Sequence, residues 1–116
     1  MEKIKIAIIG GGNMGGAITT ALSKKEEYEV FLYERTTEKA KALLDECPIT
    51  LLSSVSEATD MDCIIIALKP QNLPSFYEKL APLSPGLFIS ICAGVDLNTL
   101  KENLKSDSVV RFMPNI

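Results

Sequence analysis

The run Gly10-Gly11-Gly12-Asn13-Met14-Gly15 carries the spacing Gly-x-Gly-x-x-Gly near the start of a 116-residue chain. Glycines at this spacing can hold a pyrophosphate with backbone alone. The first permits a tight turn, the second lets the main chain approach the phosphates, and the third lets a helix pack closely on a strand. The phosphates then face the unpaired N–H groups at the positive end of that helix. Downstream, Glu34-Arg35-Thr36 begins 22 residues beyond Gly12, about where a dinucleotide fold places the side chain that meets the adenosine ribose. An acidic side chain there accepts from a ribose 2′-hydroxyl and repels a 2′-phosphate, which favours NAD. An adjacent Arg pairs with a 2′-phosphate and favours NADP. With Thr36 adding a hydroxyl and a helix start adding its positive end, the expectation is NADP, with NAD possible. If Glu34 turns out to solvent, Arg35 and Thr36 decide the matter.

Glycine-rich turns are common, so the elements around this one carry the weight. The apolar run Ile4-Lys5-Ile6-Ala7-Ile8-Ile9 reads as a strand leading into the turn. A helix follows, with Ala17, Ile18, Ala21 and Leu22 as its apolar face, and then a second strand over 29–33. Ala40, Leu43, Leu44 and Cys47 recur at helical spacing in a second helix that Thr36 or Thr37 can cap and Pro48 stops. A short third strand covers 49–52, and 53–59 is a turn or brief helix. Met61 to Leu68 reads as a strand buried on both faces. Lys69-Pro70 begins a helix with Leu73, Phe76, Tyr77 and Leu80 as its inward stripe, Pro74 falling within the first turn. A fifth strand spans 87–92 and Ala93-Gly94 is a turn. Asp96 caps a helix carrying Leu97, Leu100 and Leu104, and a sixth strand spans 108–113.

Strands alternating with helices through short connections predict an α/β fold. The expected form is a doubly wound parallel sheet of the Rossmann type, one domain, in the order 3-2-1-4-5-6. Ligands in such sheets bind outside the carboxyl ends of the strands, at the switch point between strands 1 and 4. The candidate positions are therefore Gly10 to Met14, Glu34 to Thr36, Ser53 and Ser54, Ala67 to Pro70, and Ile91 to Gly94. Lys69 could meet ribose, phosphate or a substrate carboxylate, or be a solvated lysine at a helix start. Pro70 shapes its loop. Tyr33 and Tyr77 fall on elements and are assigned to packing.

The bulk numbers narrow the classes. The chain is 47% hydrophobic and 23% charged, as ordinary globular domains are. Its net charge of −3 argues against a sequence-independent nucleic-acid binder, which needs a basic face. No secretory signal is visible, and the longest aliphatic run falls far short of the roughly 20 residues that span a bilayer. Cys47, Cys63 and Cys92 are widely spaced in apolar surroundings and read as buried free thiols, with no metal site and no disulfide framework. The expected location is a reducing compartment, the cytoplasm. There is no His to act as a general acid or base.

Four pieces taken in order, Ile9-Gly10-Gly11-Gly12-Asn13-Met14-Gly15, Leu68-Lys69-Pro70-Gln71, Ile89 to Val95 and Val110-Arg111-Phe112-Met113-Pro114-Asn115, closely resemble pyrroline-5-carboxylate reductases. The resemblance runs the length of the chain and covers that family's amino-terminal dinucleotide-binding domain, so that 1–116 is expected to be the NAD(P)-binding domain. It implies NAD(P)H-dependent reduction of a small molecule, 1-pyrroline-5-carboxylate, to L-proline, a step of proline biosynthesis. It also implies cofactor contacts at Ile9, Gly10, Gly11, Gly12, Asn13, Met14, Arg35, Thr36, Ser54, Ala67, Leu68, Lys69, Pro70, Ile91, Cys92 and Ala93. Ser54 stands where the family commonly has Asn, and Glu34 where it has a small or amide residue. In the family a carboxy-terminal helical domain makes the dimer and supplies most of the substrate pocket. That domain is absent from this chain, so a homo-oligomer is expected only together with it, no catalytic residue is assigned, and the chain alone is expected to bind dinucleotide with little turnover. Two other readings of the same fold are a non-catalytic dinucleotide sensor and a related imine or carbonyl reductase.

Overall fold

The computed structural model describes residues 2–113; Pro114 and Asn115 of the last motif, and Ile116, lie outside the described residues. Six strands, β1 (Ile4–Ile9), β2 (Tyr28–Tyr33), β3 (Thr50–Leu51), β4 (Cys63–Ile66), β5 (Leu87–Ser90) and β6 (Val109–Arg111), form one sheet. Their order is β3-β2-β1-β4-β5-β6, and every pairing is parallel. The doubly wound fold and its strand order are as the alternating pattern requires.

Side chains alternate across the sheet and divide the core in two. Ile6, Ile8, Val30, Leu32 and Ile65 face one side, where Ile18 and Leu22 of α1 (Asn13–Ser23) and Leu43 of α2 (Thr37–Glu46) meet them. Ala7, Ile9, Ile64, Ile66 and Phe88 face the other, under Leu80 of α3 (Tyr77–Leu80) and Leu100 and Leu104 of α4 (Leu97–Leu104). Ile64, Ile65 and Ile66 are all buried, which makes β4 the two-sided strand its composition predicts. Asp96 caps α4 as expected, its Oδ1 accepting from the Thr99 N–H at 2.8 Å.

Three local expectations are corrected. The face that α1 buries is Gly15, Thr19 and Ser23, while Ala17 and Ala21 are exposed and Ile18 and Leu22 half-buried. Small residues bring this helix close to the sheet. The buried hydroxyls stay satisfied because Thr19 Oγ1 donates to the Gly15 carbonyl (2.8 Å) and Ser23 Oγ to that of Thr20 (2.9 Å). The helix expected from Lys69 is instead a turn over 70–72, a 3-10 stretch Leu73–Phe76, the single α-turn α3 and a second 3-10 stretch Ala81–Leu83. Pro74 has no N–H for the Pro70 carbonyl, so an α-helix begun at Pro70 loses its second bond. The inward stripe survives nonetheless, with Leu73, Phe76 and Leu80 buried. Finally, β3, β4, β5 and β6 are shorter than the apolar runs that predict them. One rung continues past each of the four (Leu52 N–H to Leu32 O, Ala67 N–H to Ile9 O, Ile91 N–H to Ile66 O, Phe112 N–H to Ser90 O).

Cys47 and Cys92 are buried, Cys63 is half-buried, and all three are free. Among the described residues no helix is long and apolar enough to cross a membrane, and no cluster of His, Cys, Asp and Glu has metal-holding geometry.

Candidate functional site

β1 ends at Ile9, and the glycine turn begins where the sheet opens. Gly10 donates to the Tyr33 carbonyl at 2.8 Å and takes φ +106°, a left-handed backbone in which a side chain is strained. A Cβ there would also meet the Ala67 carbonyl oxygen at 2.8 Å. At Gly15 a Cβ would collide with the Gly10 carbonyl oxygen and touch the Ala67 Cβ at 3.0 Å. Both glycines are therefore required by the fold, because α1 leaves β1 pressed against the end of β4. Gly12 differs: it caps α1 with φ −67°, and a Cβ there would meet nothing within 4 Å. The chain's own packing gives no reason for glycine at 12, whereas a ligand approaching the backbone does. No side chain caps α1 and no acidic residue stands in its first turn, while just before the cap the Glu34 carboxylate reaches the turn, its Oε2 accepting from the Gly11 N–H.

Beside the turn lies a cleft of about 230 Å³ lined by Gly10, Gly11, Gly12, Tyr33, Glu34, Arg35, Thr36, Lys39, Ala67, Leu68, Lys69, Asn72 and Phe76. It brings together the glycine turn, the end of β2 and the loop after β4. Of the residues that the sequence singles out, Gly10, Gly11, Gly12, Glu34, Arg35, Thr36, Ala67, Leu68 and Lys69 meet here. Asn13 is exposed and lines a shallower groove on the other side of the turn, with Gly16, Thr20 and Lys39. Met14 is half-buried on α1 and Ile9 fully buried under the turn.

The remaining candidates stand apart from the cleft lining. Pro70 lines a separate groove with Leu73, Val95 and Thr99. Ser54 is exposed at the head of a 3-10 turn, Val55–Glu57, where Glu57 Oε1 accepts from the Ser53 and Ser54 N–H groups. Ile91, Cys92 and Ala93 follow β5. Cys92 is only 3% exposed, and its Sγ donates to the Leu68 carbonyl at 3.1 Å, tying the ends of β4 and β5 together. Burial pushes this thiol up, against the lowering effect of its Ser90 and Leu68 partners, so it keeps its proton.

The structure adds residues that sequence reasoning passed over. Lys39 stands in the first turn of α2, and a helix that starts at a strand end carries its first turn over the cleft; that rule was the available signal. Asn72 enters from the turn after Lys69 and Phe76 from the 3-10 stretch that follows; the spacing marks Phe76 only as an inward apolar residue and does not mark Asn72. Tyr33, assigned to packing, does pack: its ring meets Phe76 edge-on at 6.1 Å, and the pair forms one wall of the cleft. Thr36 occupies the N-cap of α2 without a side-chain cap bond; its N–H goes to Glu34 Oε1 at 3.0 Å.

Comparison with known proteins agrees with this geometry. Residues 5–94 match the family described as NADP oxidoreductase coenzyme F420-dependent. The chain is 31% identical over 115 residues to the pyrroline-5-carboxylate reductase of Aquifex aeolicus, covering 97% of this chain and 43% of that protein. It is 34% identical over 122 residues to the pyrroline-5-carboxylate reductase of Escherichia coli (strain K12), covering 99% and 45%. Among solved structures, a pyrroline-5-carboxylate reductase from Coxiella burnetii superposes with a TM-score of 0.86 at 26% identity, over 96% of this chain and 44% of that one. A lactate dehydrogenase from Eimeria maxima, solved with NADH and oxamate, shares the fold (TM-score 0.74, 22% identity, 95% and 43%). The chain thus spans under half the length of the curated relatives it matches. With the match covering 5–94 and the glycine turn, β2 end and β4 loop gathered into one cleft, the chain belongs to the NADP oxidoreductase coenzyme F420-dependent family.

Proposed function

We propose that this chain is the dinucleotide-binding domain of a pyrroline-5-carboxylate reductase, with NADPH as its preferred cofactor. The observation that carries the proposal is Gly12, a glycine the fold does not need, at the uncapped start of α1 and at the switch point between β1 and β4. In this reading the N–H groups at the start of α1 hold the pyrophosphate. Arg35, Thr36 and Lys39 form the basic rim for a 2′-phosphate, and Lys69 and Asn72 reach the bound dinucleotide from the loop after β4. The similarity to pyrroline-5-carboxylate reductases over nearly the whole chain supports the choice of substrate, reduced to L-proline.

When bound, reduced nicotinamide supplies the hydride. The chain's part is to fix the dinucleotide against the carboxyl edge of the sheet. Tyr33 and Phe76 wall the cleft on one side, and Ala67 and Leu68 line the floor through which β4 ends. Holding hydride donor and imine at attack distance can contribute up to about 7–11 kcal/mol. The cleft holds only the donor's half of that arrangement, and we place the imine pocket and the dimer contacts in a second domain such as the unmatched half of the relatives could supply. The expected location, the cytoplasm, belongs to the same proposal.

Titration of the chain with NADPH, followed by nicotinamide emission, tests the binding claim; there is no Trp to interfere. Saturable binding that Gly12→Val abolishes while the far-ultraviolet circular dichroism is unchanged is the expected result. A folded chain that binds neither NADPH nor NADH overturns it. Steady formation of proline from 1-pyrroline-5-carboxylate by the chain alone would refute the placement of the substrate pocket elsewhere.

A further inference from the structure

We infer that Cys92 is a positioning residue for the dinucleotide: its buried thiol holds the Leu68 carbonyl and so fixes the end of β4, from which Ala67, Leu68 and Lys69 line the cleft. The inference rests on the reading of the cleft as a dinucleotide site.

The side chain of Cys92 does not reach the cleft itself. It is 3% exposed, packs in the core with Ile66 and Phe88, and is not among the lining residues. What its thiol reaches is the Leu68 carbonyl oxygen, at 3.1 Å. The Ile66 carbonyl lies farther off, at 3.9 Å, and already accepts the Ile91 N–H at 3.1 Å. No other described residue donates to the Leu68 carbonyl. Cys92 is held in its turn, its N–H donating at 3.2 Å to the Oγ of Ser90, which is 1% exposed. Burial keeps the proton on the thiol, so the donor persists through the neutral range.

The bond falls where the chain has least other support. The last rung between β1 and the end of β4 is Ala67 N–H to Ile9 O at 2.8 Å, and the next backbone bond is Asn72 N–H to Lys69 O at 2.9 Å. Between them the Ala67–Leu68 peptide is pressed on the glycine turn: a Cβ at Gly10 would lie 2.8 Å from the Ala67 oxygen and 3.2 Å from the Leu68 nitrogen. Gly10 thus packs on this peptide, and Cys92 holds the carbonyl that follows it. Two points fix the strand end that carries Lys69 into the cleft. Without the thiol the sheet keeps its ladder, but the loop must be ordered when the dinucleotide binds, and ordering a loop costs affinity.

The test is the NADPH dissociation constant, titrated by nicotinamide fluorescence beside thermal melts, for the chain, Cys92→Ala, Cys92→Ser and Cys47→Ala. Cys92→Ala removes the donor and Cys92→Ser returns one. Cys47 is buried and outside the cleft lining, so Cys47→Ala controls for loss of a buried thiol as such. The expected result is binding about threefold weaker in Cys92→Ala, largely restored in Cys92→Ser and unchanged in Cys47→Ala, even where the melting temperature falls. A thiol with a structural role alone would lower the melting temperature of Cys92→Ala and leave its affinity unchanged; that result overturns the inference and leaves the dinucleotide site standing. Equal weakening in Cys92→Ser, or in Cys47→Ala, overturns it as well. If Cys92→Ala does not fold, Cys92→Val, which fills the space without a donor, is read against Cys92→Ser, and equal affinities overturn the inference. If the unmodified chain is folded and binds neither dinucleotide, the reading of the cleft falls and the inference with it.

Discussion

Substituting alanine at three neighbouring glycines separates what the fold requires from what a ligand requires. At Gly15 the new Cβ would collide with a backbone carbonyl, that of Gly10, and also meet the Ala67 Cβ at 3.0 Å. Neither atom can rotate away, so α1 must back off β1. Overpacking of this kind costs about 1–3 kcal/mol, and a rigid backbone neighbour points to the upper end. Alanine regains about 1 kcal/mol of helix propensity over glycine, leaving a net loss of about 2 kcal/mol. For a domain of this size, at about 4 °C per kcal/mol, the melting temperature should fall by about 8 °C. At Gly16 the nearest contacts are ordinary, 3.5 Å to the Gly11 carbonyl oxygen and 3.8 Å to Leu43, so propensity wins and Gly16→Ala should stabilise by up to about 1 kcal/mol. At Gly12 nothing lies within 4 Å, and Gly12→Ala should leave the melting temperature within a few degrees while weakening dinucleotide binding. Thermal melts by circular dichroism, read beside the NADPH titration, check all three. A Gly15→Ala variant that melts with the unmodified chain would refute the packing argument. A Gly12→Ala variant that binds NADPH unchanged would remove the ligand explanation for that glycine.

Two further outcomes follow from titrating groups. The Asp96 carboxyl is held below its ordinary value of 3.8, chiefly by the Thr99 N–H it accepts from, with a smaller effect of Arg111. A carboxyl lowered on folding stabilises fully above its unfolded value and loses that contribution as pH falls through its folded one. Melting temperature followed downward from pH 5 should therefore decline less steeply below about pH 3.8 in Asp96→Asn than in the unmodified chain; parallel declines would contradict the cap's electrostatic role. Burial, reinforced by Asp62, pushes the Cys63 thiol up from 9.0 to about 11, so its thiolate fraction near pH 8 falls by about a hundredfold. With Cys47 and Cys92 buried, the native chain should react slowly with a thiol reagent and the denatured chain rapidly at all three cysteines. Rapid reaction of the native chain at Cys63 would show the thiol to be exposed.

Much of the architecture is legible in the sequence. Element order, the parallel sheet and its 3-2-1-4-5-6 order follow from local patterning: apolar runs, helical spacing such as Leu100 and Leu104, and the breaker at Pro48. The Asp96 cap was legible for the same reason, since a cap bond spans three residues. Errors arose where a residue's neighbours are distant in sequence. The apolar reading of α1 chose Ala17 and Ala21, yet the helix buries Gly15, Thr19 and Ser23. The helix-to-sheet separation decides that face, and it is set by Gly15 against Gly10 and Ala67. The segment after Lys69 is shorter as α-helix than its apolar stripe implies, because Pro74 sits in the first turn of a 3-10 stretch, where its missing N–H costs no bond.

The candidate site divides along the same line. The glycine motif, its strand and its helix are contiguous, so their geometry is local and the pyrophosphate reading needs only the chain in order. Lys39, Asn72 and Phe76 join the cleft only because β1, β2 and β4 end side by side, bringing together residues from 10 to 76 in sequence. The direction of Glu34 is of this second kind. Sequence alone offered the carboxylate as either a ribose partner or a solvated charge. Its inward choice depends on the Gly11 and Thr36 N–H groups standing within reach on two separate loops. Nearly every residue carries a backbone N–H, so the sequence does not mark which donors from separate loops converge on one side chain, and only the folded chain shows it.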